Sequence, residues 1–84
     1  MTDTHIPRIE IDWIDITGHG GWHNLDDVRD LPSCDATTMG YLISRTNKDY
    51  RVACTLTKDR CGDIWIIPRA SITDVRILKE NNFL

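Results

Sequence analysis

Cys61-Gly62-Asp63-Ile64-Trp65-Ile66-Ile67-Pro68-Arg69-Ala70-Ser71-Ile72 decides how this chain folds. An apolar strand, Asp63 to Ile67, runs into a proline. Pro68 has no N–H to give to a ladder and fixes its own backbone, so the strand stops there. Pro68-Arg69-Ala70 is expected to make one tight 3₁₀ turn. A second apolar strand then runs from Ser71 to Leu78. This punctuation predicts a small β-barrel.

Upstream of that stretch the period-two pattern continues. Tyr50, Val52, Cys54 and Leu56 alternate with Arg51, Ala53, Thr55 and Thr57, which predicts a strand over Tyr50–Thr57. Cys54 falls on its inward register and is expected to be a small core residue. Lys58 to Gly62 is a turn, and so is Thr46-Asn47-Lys48-Asp49, where Asn and Asp tolerate left-handed backbone. Between Thr37 and Arg45, Met39, Tyr41 and Ile43 alternate with Gly40, Leu42 and Ser44. A glycine inside a strand suggests a bend or a close backbone approach.

At the other end, Ile9, Ile11 and Trp13 alternate with Arg8, Glu10 and Asp12. The phase then slips, since Ile14 and Ile16 are apolar. A β-bulge near Trp13-Ile14 would absorb the slip and bend the strand. Thr17-Gly18-His19-Gly20-Gly21 is a loop. Asn24 is a suitable N-cap for a short helix in which Leu25, Val28 and Leu31 share a face, and Pro32 ends it. Asp26 and Asp27 suit its positive end.

The expected fold is all-β: a five-stranded antiparallel barrel with one short helix between strands 1 and 2. Residues 1–7 read as a flexible arm, 8–78 as a single domain and 79–84 as a tail. In that tail Phe83-Leu84 is placed either to dock on a neighbouring subunit or to fray. At 84 residues the chain is near the lower limit for a self-supporting core, so a homo-oligomer is expected. Trp13, Tyr41 and Trp65 are expected mostly inside.

Composition excludes several functions. Net charge is −3 and the ten basic residues form no run, so nucleic-acid binding is disfavoured. No segment is apolar enough to span a bilayer, and the first residues lack a basic-then-apolar pattern. Three cysteines, an odd number, suit free thiols, and a cytosolic location is expected.

The segment Gly62–Ile72 resembles the closing segment of SH3-like barrels, where a strand ends in an apolar residue and a proline and one 3₁₀ turn leads into the final strand. Over residues 11–78 the layout is similar to a group of short, largely uncharacterised bacteriophage proteins. The residues that carry this are Trp13-Ile14-Asp15-Ile16, Gly21-Trp22, Gly40-Tyr41-Leu42 and Ile67-Pro68. The resemblance implies an accessory role in the host cytosol, such as interference with a host system, antiviral defence included. It carries no catalytic residues. The chain has neither the paired tryptophans nor the acidic, aromatic-rich first loop of peptide-binding SH3 domains, so recognition of proline-rich peptide is not expected.

Candidate binding residues are Gly20, Gly21, Trp22, His23, Asn24, Tyr41 and Arg69. Glycine N–H groups and a helix start favour an anion, Trp22 offers a stacking face, and His19 and His23 can hydrogen-bond a phosphate. The plainer alternative is a tight connection with Trp22 as a lid on the barrel end. No Gly-Lys-Ser/Thr pattern follows, so this is not a P-loop. His19, His23, Cys34, Cys54 and Cys61 lack zinc-site spacing, and no metal or other cofactor is expected. Cys34 with His23 and Asp26 is the sole local set resembling a nucleophile, and a plain thiol explains it better. Asp26-Asp27 is explained by the helix start.

The expected function is therefore a non-enzymatic phage accessory protein. It would bind a host component, occupying a protein partner or sequestering a small nucleotide-like ligand. The alternatives are a small structural or assembly protein and a nucleic-acid-binding module.

Overall fold

The computed structural model describes residues 5–82. The elements are β1 (His5–Asp15), α1 (Leu25–Arg29), β2 (Cys34–Arg45), β3 (Asp49–Leu56), β4 (Cys61–Pro68), a 3₁₀ turn (Arg69–Ser71) and β5 (Ile72–Asn82). All five strands lie in one antiparallel sheet, ordered β4-β3-β2-β1-β5. The all-β architecture, the strand count, the helix between strands 1 and 2 and the 3₁₀ turn after Pro68 are as expected. The sheet is curled but not closed into a barrel: β4 and β5 are its two edges.

The curl comes from β2, which serves two partners in succession. Its first part, Cys34–Tyr41, pairs with Asp15–Arg8 of β1, and its second part, Tyr41–Arg45, pairs with Ala53–Tyr50 of β3. Gly40 sits at the handover. A Cβ there would lie 2.5 Å from the carbonyl oxygen of Ala53 and 2.7 Å from Val52 Cγ1. Because Gly40 has no side chain, β3 folds across the inner face of β2. An irregularity between Leu42 and Ser44 adds to the bend.

Folding over creates an inside. Ile9 and Ile11 from β1 meet Tyr50 and Val52 from β3 and Ile67 from β4, with Trp13, Leu42, Ile72 and Val75 packed around them. Trp13 and Trp65 come within 6.3 Å, centroid to centroid, although three strand steps separate β1 from β4 in the sheet. Trp13 Nε1 donates to Thr38 Oγ1 at 3.0 Å. The turn Thr46–Asp49 closes through Thr46, whose hydroxyl accepts from Lys48 N and Asp49 N.

Several expectations need correction. Trp13 and Tyr41 are half-buried and Trp65 is exposed; the buried residues are Ile9, Ile11, Tyr50, Val52, Ala53 and Ile67. Cys54 is exposed, as are Cys34 and Cys61. The β2–β3 ladder stops at Tyr41–Ala53, one residue before Cys54. The irregularity near Trp13 lies one residue earlier than expected, between Asp12 and Trp13, where the extra residue, Thr73, is on β5.

β1 also begins before Arg8 and β5 continues past Leu78. His5–Pro7 pair with Asn82–Glu80, which draws part of the expected arm and tail into the sheet. Phe83-Leu84 and residues 1–4 lie outside the described residues.

The radius of gyration is 16.7 Å, against about 12 Å for a compact chain of this length. Two projections account for the excess: the β1–β5 ribbon at one end, and the segment joining β1 to β2 at the other. Gly40→Ala should lower unfolding free energy by about 2–3 kcal/mol in urea denaturation, because a backbone oxygen occupies the space a methyl would need. Gly18, with nothing within 4 Å of its Cβ position, should accept alanine with a change of at most about 0.5 kcal/mol.

Candidate functional site

The chain between β1 and β2 forms a projecting arm. Ile14 and Ile16 lead into it, the glycine loop follows, and α1 carries it back to β2. Among the described residues of this arm no side chain from Ile14 to Leu31 is buried. Ile16 is 92 % exposed and Trp22 is fully exposed. Leu25, Val28 and Leu31, the expected apolar face of the helix, are all open to solvent. The lid expectation for Trp22 is therefore overturned: the arm points away from the sheet, and the indole covers nothing.

The loop has its own local order. Gly21 adopts φ 85°, a left-handed backbone that favours glycine. His23 Nε2 donates to the Gly20 carbonyl at 2.9 Å, and the His19 and His23 rings meet edge to face at 6.4 Å. Asn24 precedes α1 as expected, but its side chain makes no capping bond. Its amide donates to Asp27 Oδ2 at 3.4 Å instead. Arg29 pairs with Asp26 at 2.6 Å, one helical turn away and in solvent.

The other expected site residues lie elsewhere. Tyr41 sits on β2 opposite Arg8 and Ala53. It is seven residues from the root of the arm, or roughly 23 Å along a strand. Arg69 lies at the 3₁₀ turn, its guanidinium 6.0 Å from the Tyr50 ring centroid, and its backbone N–H donates to the Lys48 carbonyl. Gly20 to Asn24 are thus together, while Tyr41 and Arg69 belong to two other places. Among the described residues no group of three His, Cys, Asp or Glu side chains is arranged to hold a metal ion. A shallow, open depression lined by Thr55, Thr57, Arg60, Cys61 and Gly62 lies at the β3–β4 turn.

Charge divides the molecule. Residues 12–35 hold six aspartates against Arg29 alone, which leaves seven acidic and nine basic residues elsewhere. The arm and its roots are acidic as well as apolar. At the root, Arg76 of β5 gathers three carboxylates: Glu10 at 2.5 Å, Asp12 at 2.8 Å, and Asp74. Thr37 Oγ1 also donates to Asp12 at 2.8 Å. The Arg76 hydrogen bonds hold the Asp12 carboxyl below its ordinary value of 3.8, and Thr37 lowers it further. The same bonds push the Arg76 guanidinium up, Asp12 contributing most. One arginine among three carboxylates ties β1 to β5 and leaves this surface negative.

Comparison with models of protein families, with curated proteins and with solved structures finds no match. The two features that matter most here escaped the sequence reading in different ways. The acidity of residues 12–35 was countable but diluted in a whole-chain charge of −3. The Arg76 cluster joins positions more than sixty residues apart and leaves no local signal.

A depressed carboxyl gives stability that is present above its unfolded value and lost as pH falls through its folded value. The wild-type melting temperature should therefore rise between pH 2 and pH 4, and Arg76→Met should flatten that rise. Superimposable wild-type and variant profiles across that range would contradict the assignment.

Proposed function

We propose that this is a non-enzymatic binding protein that occupies a protein partner with its projecting arm. The observation that carries the reading is the coincidence, on one segment, of unburied apolar side chains and concentrated negative charge. Ile14, Ile16, Trp22, Leu25, Val28 and Leu31 are all exposed. Contiguous exposed apolar surface marks an interaction site, and tryptophan is the side chain most often found at the energetic centre of one. The six aspartates between residues 12 and 35 choose the partner's chemistry: an apolar groove with lysines and arginines on its rim.

The same charge weighs against the other readings. A nucleotide-like ligand or a nucleic acid would meet Asp26, Asp27 and Asp30 beside the glycine loop. α1 is five residues long, too short to supply a useful dipole. The host-directed accessory role implied by the likeness to short phage proteins fits a partner-occupying arm. The strand order, with a 3₁₀ turn between β4 and the returning β5, supports reading the curled sheet as an open member of the SH3-like barrels. A structural or assembly role has no observation of its own in its favour.

Immobilised protein and its Trp22→Ala/Leu25→Asp variant should be compared for capture from host lysate, and a captured partner should then be titrated directly. The expected loss is about 30-fold or more in affinity, as for an anchoring aromatic, with wild-type binding weakened by salt. Equal capture by the variant would refute the reading, as would a rise in melting temperature with nucleotides or nucleic acid.

A further inference from the structure

β4 is an edge strand with the sequence of a central one. Ile64-Trp65-Ile66-Ile67 is an unbroken apolar run, the pattern of a strand covered on both faces. Within one chain only Ile67 is covered. Ile64 is 46 % exposed, Trp65 48 % and Ile66 57 %. Edge strands normally carry charge that discourages pairing. β5, the opposite edge, does so with Asp74 and Arg76. β4 has no charge between Asp63 and Arg69.

The main chain of that edge is free to pair. The carbonyls of Lys48 and Asp49 accept from Arg69 N and Thr46 N respectively. Bonding direction alternates along an antiparallel strand. Tyr50 and Val52 therefore turn their main-chain groups toward β4, and their partners Ile67 and Trp65 answer them. Ile66 and Ile64, at the alternate positions, present N–H and C=O outward. Pro68 falls on the same outward register, where its missing N–H removes no bond from the β3–β4 ladder.

We infer that the β4 edge pairs antiparallel, about a two-fold axis, with β4 of a second copy of this chain. With the axis at Trp65, Ile64 lies opposite Ile66 of the partner subunit, and each pair exchanges two main-chain hydrogen bonds. Apolar side chains meet apolar side chains on both faces of the joined sheet. The flanking charges fit the same geometry. Asp63, at one end of the apolar run, lies toward the end of the facing run that leads into the partner's Arg69, the first residue of the 3₁₀ turn just past β4. Both residues are exposed. A parallel copy would instead bring like charges together at each end, so charge selects the antiparallel arrangement. The contact is narrow compared with the roughly 1,200–2,000 Å² buried in a stable interface, so the dimer is concentration-dependent. This surface is separate from the arm and stands or falls independently of the partner reading.

Sedimentation equilibrium over a range of concentrations tests it. The wild-type mass should climb from 9.7 kDa toward twice that value. Ile66→Lys should remain at the monomer mass. Arg69→Glu should weaken association tenfold or more, because carboxylates then face each other at both ends. Adding Asp63→Asn, which tolerates the φ of 55° at that position, should recover part of the loss, by removing the repulsion without restoring an opposite charge. Hydrogen exchange of the wild type gives a second reading should a variant fail to fold: the Ile64 and Ile66 amides should slow as concentration rises. A chain that stays monomeric throughout, amides indifferent to concentration, or a dimer that survives Ile66→Lys but not Trp22→Ala would each overturn the inference.

Discussion

The fold depends on Gly40 having no side chain. β2 must leave β1 and take up β3 within a few residues, and the Ala53 carbonyl and Val52 methyl occupy the space a Cβ would fill. With that contact the two halves of the sheet face each other and enclose Ile9, Ile11, Val52 and Ile67. A side chain at that position would push β3 away from β2 and loosen this enclosure. The core is correspondingly small. Among the described residues six apolar side chains are buried and no polar or charged one is. Six buried side chains leave little interior for further apolar groups, and among the described residues thirteen large ones are left in solvent.

How far the sequence is legible follows from what periodicity encodes. Alternation in β1 and β3 marks an inward face, and Ile9, Ile11, Tyr50 and Val52 occupy it as expected. It does not report how far a neighbouring strand extends to cover that face. Cys54 has the right phase and lies past the end of the β2–β3 ladder, and Trp65 has the right phase on a strand with one neighbour. The helix shows the same limit. Asn24 and the spacing of Leu25, Val28 and Leu31 announce α1 correctly, but helical spacing says only that a face is apolar. Nothing local reveals that the described residues leave this face open to solvent. Trp22 reads as a lid or an anchor with equal ease until the direction of the arm is known.

Two kinds of surface carry nine of the thirteen unburied groups, Met39, Ile43, Ile77 and Leu78 lying on neither, and the two differ in electrostatics. The arm is apolar and acidic, which favours a partner of opposite charge and works against self-association through like segments. The β4 edge is apolar and locally neutral, with one charge of each sign at its ends, which suits a copy of itself. Arg76 keeps the acidic end in order. By binding Glu10, Asp12 and Asp74 it relieves the repulsion that three neighbouring carboxylates would otherwise exert across the β1–β5 junction.

The position of β1 has a consequence for synthesis. It is the second strand from one edge of the sheet, yet of the five strands it is made before the others, and its β5 partner comes after them. The pairings Ile11–Val75 and Ile9–Ile77 join residues more than sixty positions apart. A meander of β2, β3 and β4 can assemble as it leaves the ribosome. One side of β1 has no partner until Val75 and Ile77 have been translated. Pairing at such separation makes folding slow and leaves strand edges open meanwhile. During elongation the nascent chain exposes two unpaired edges, β1 and β4, and the arrival of β5 closes only the first.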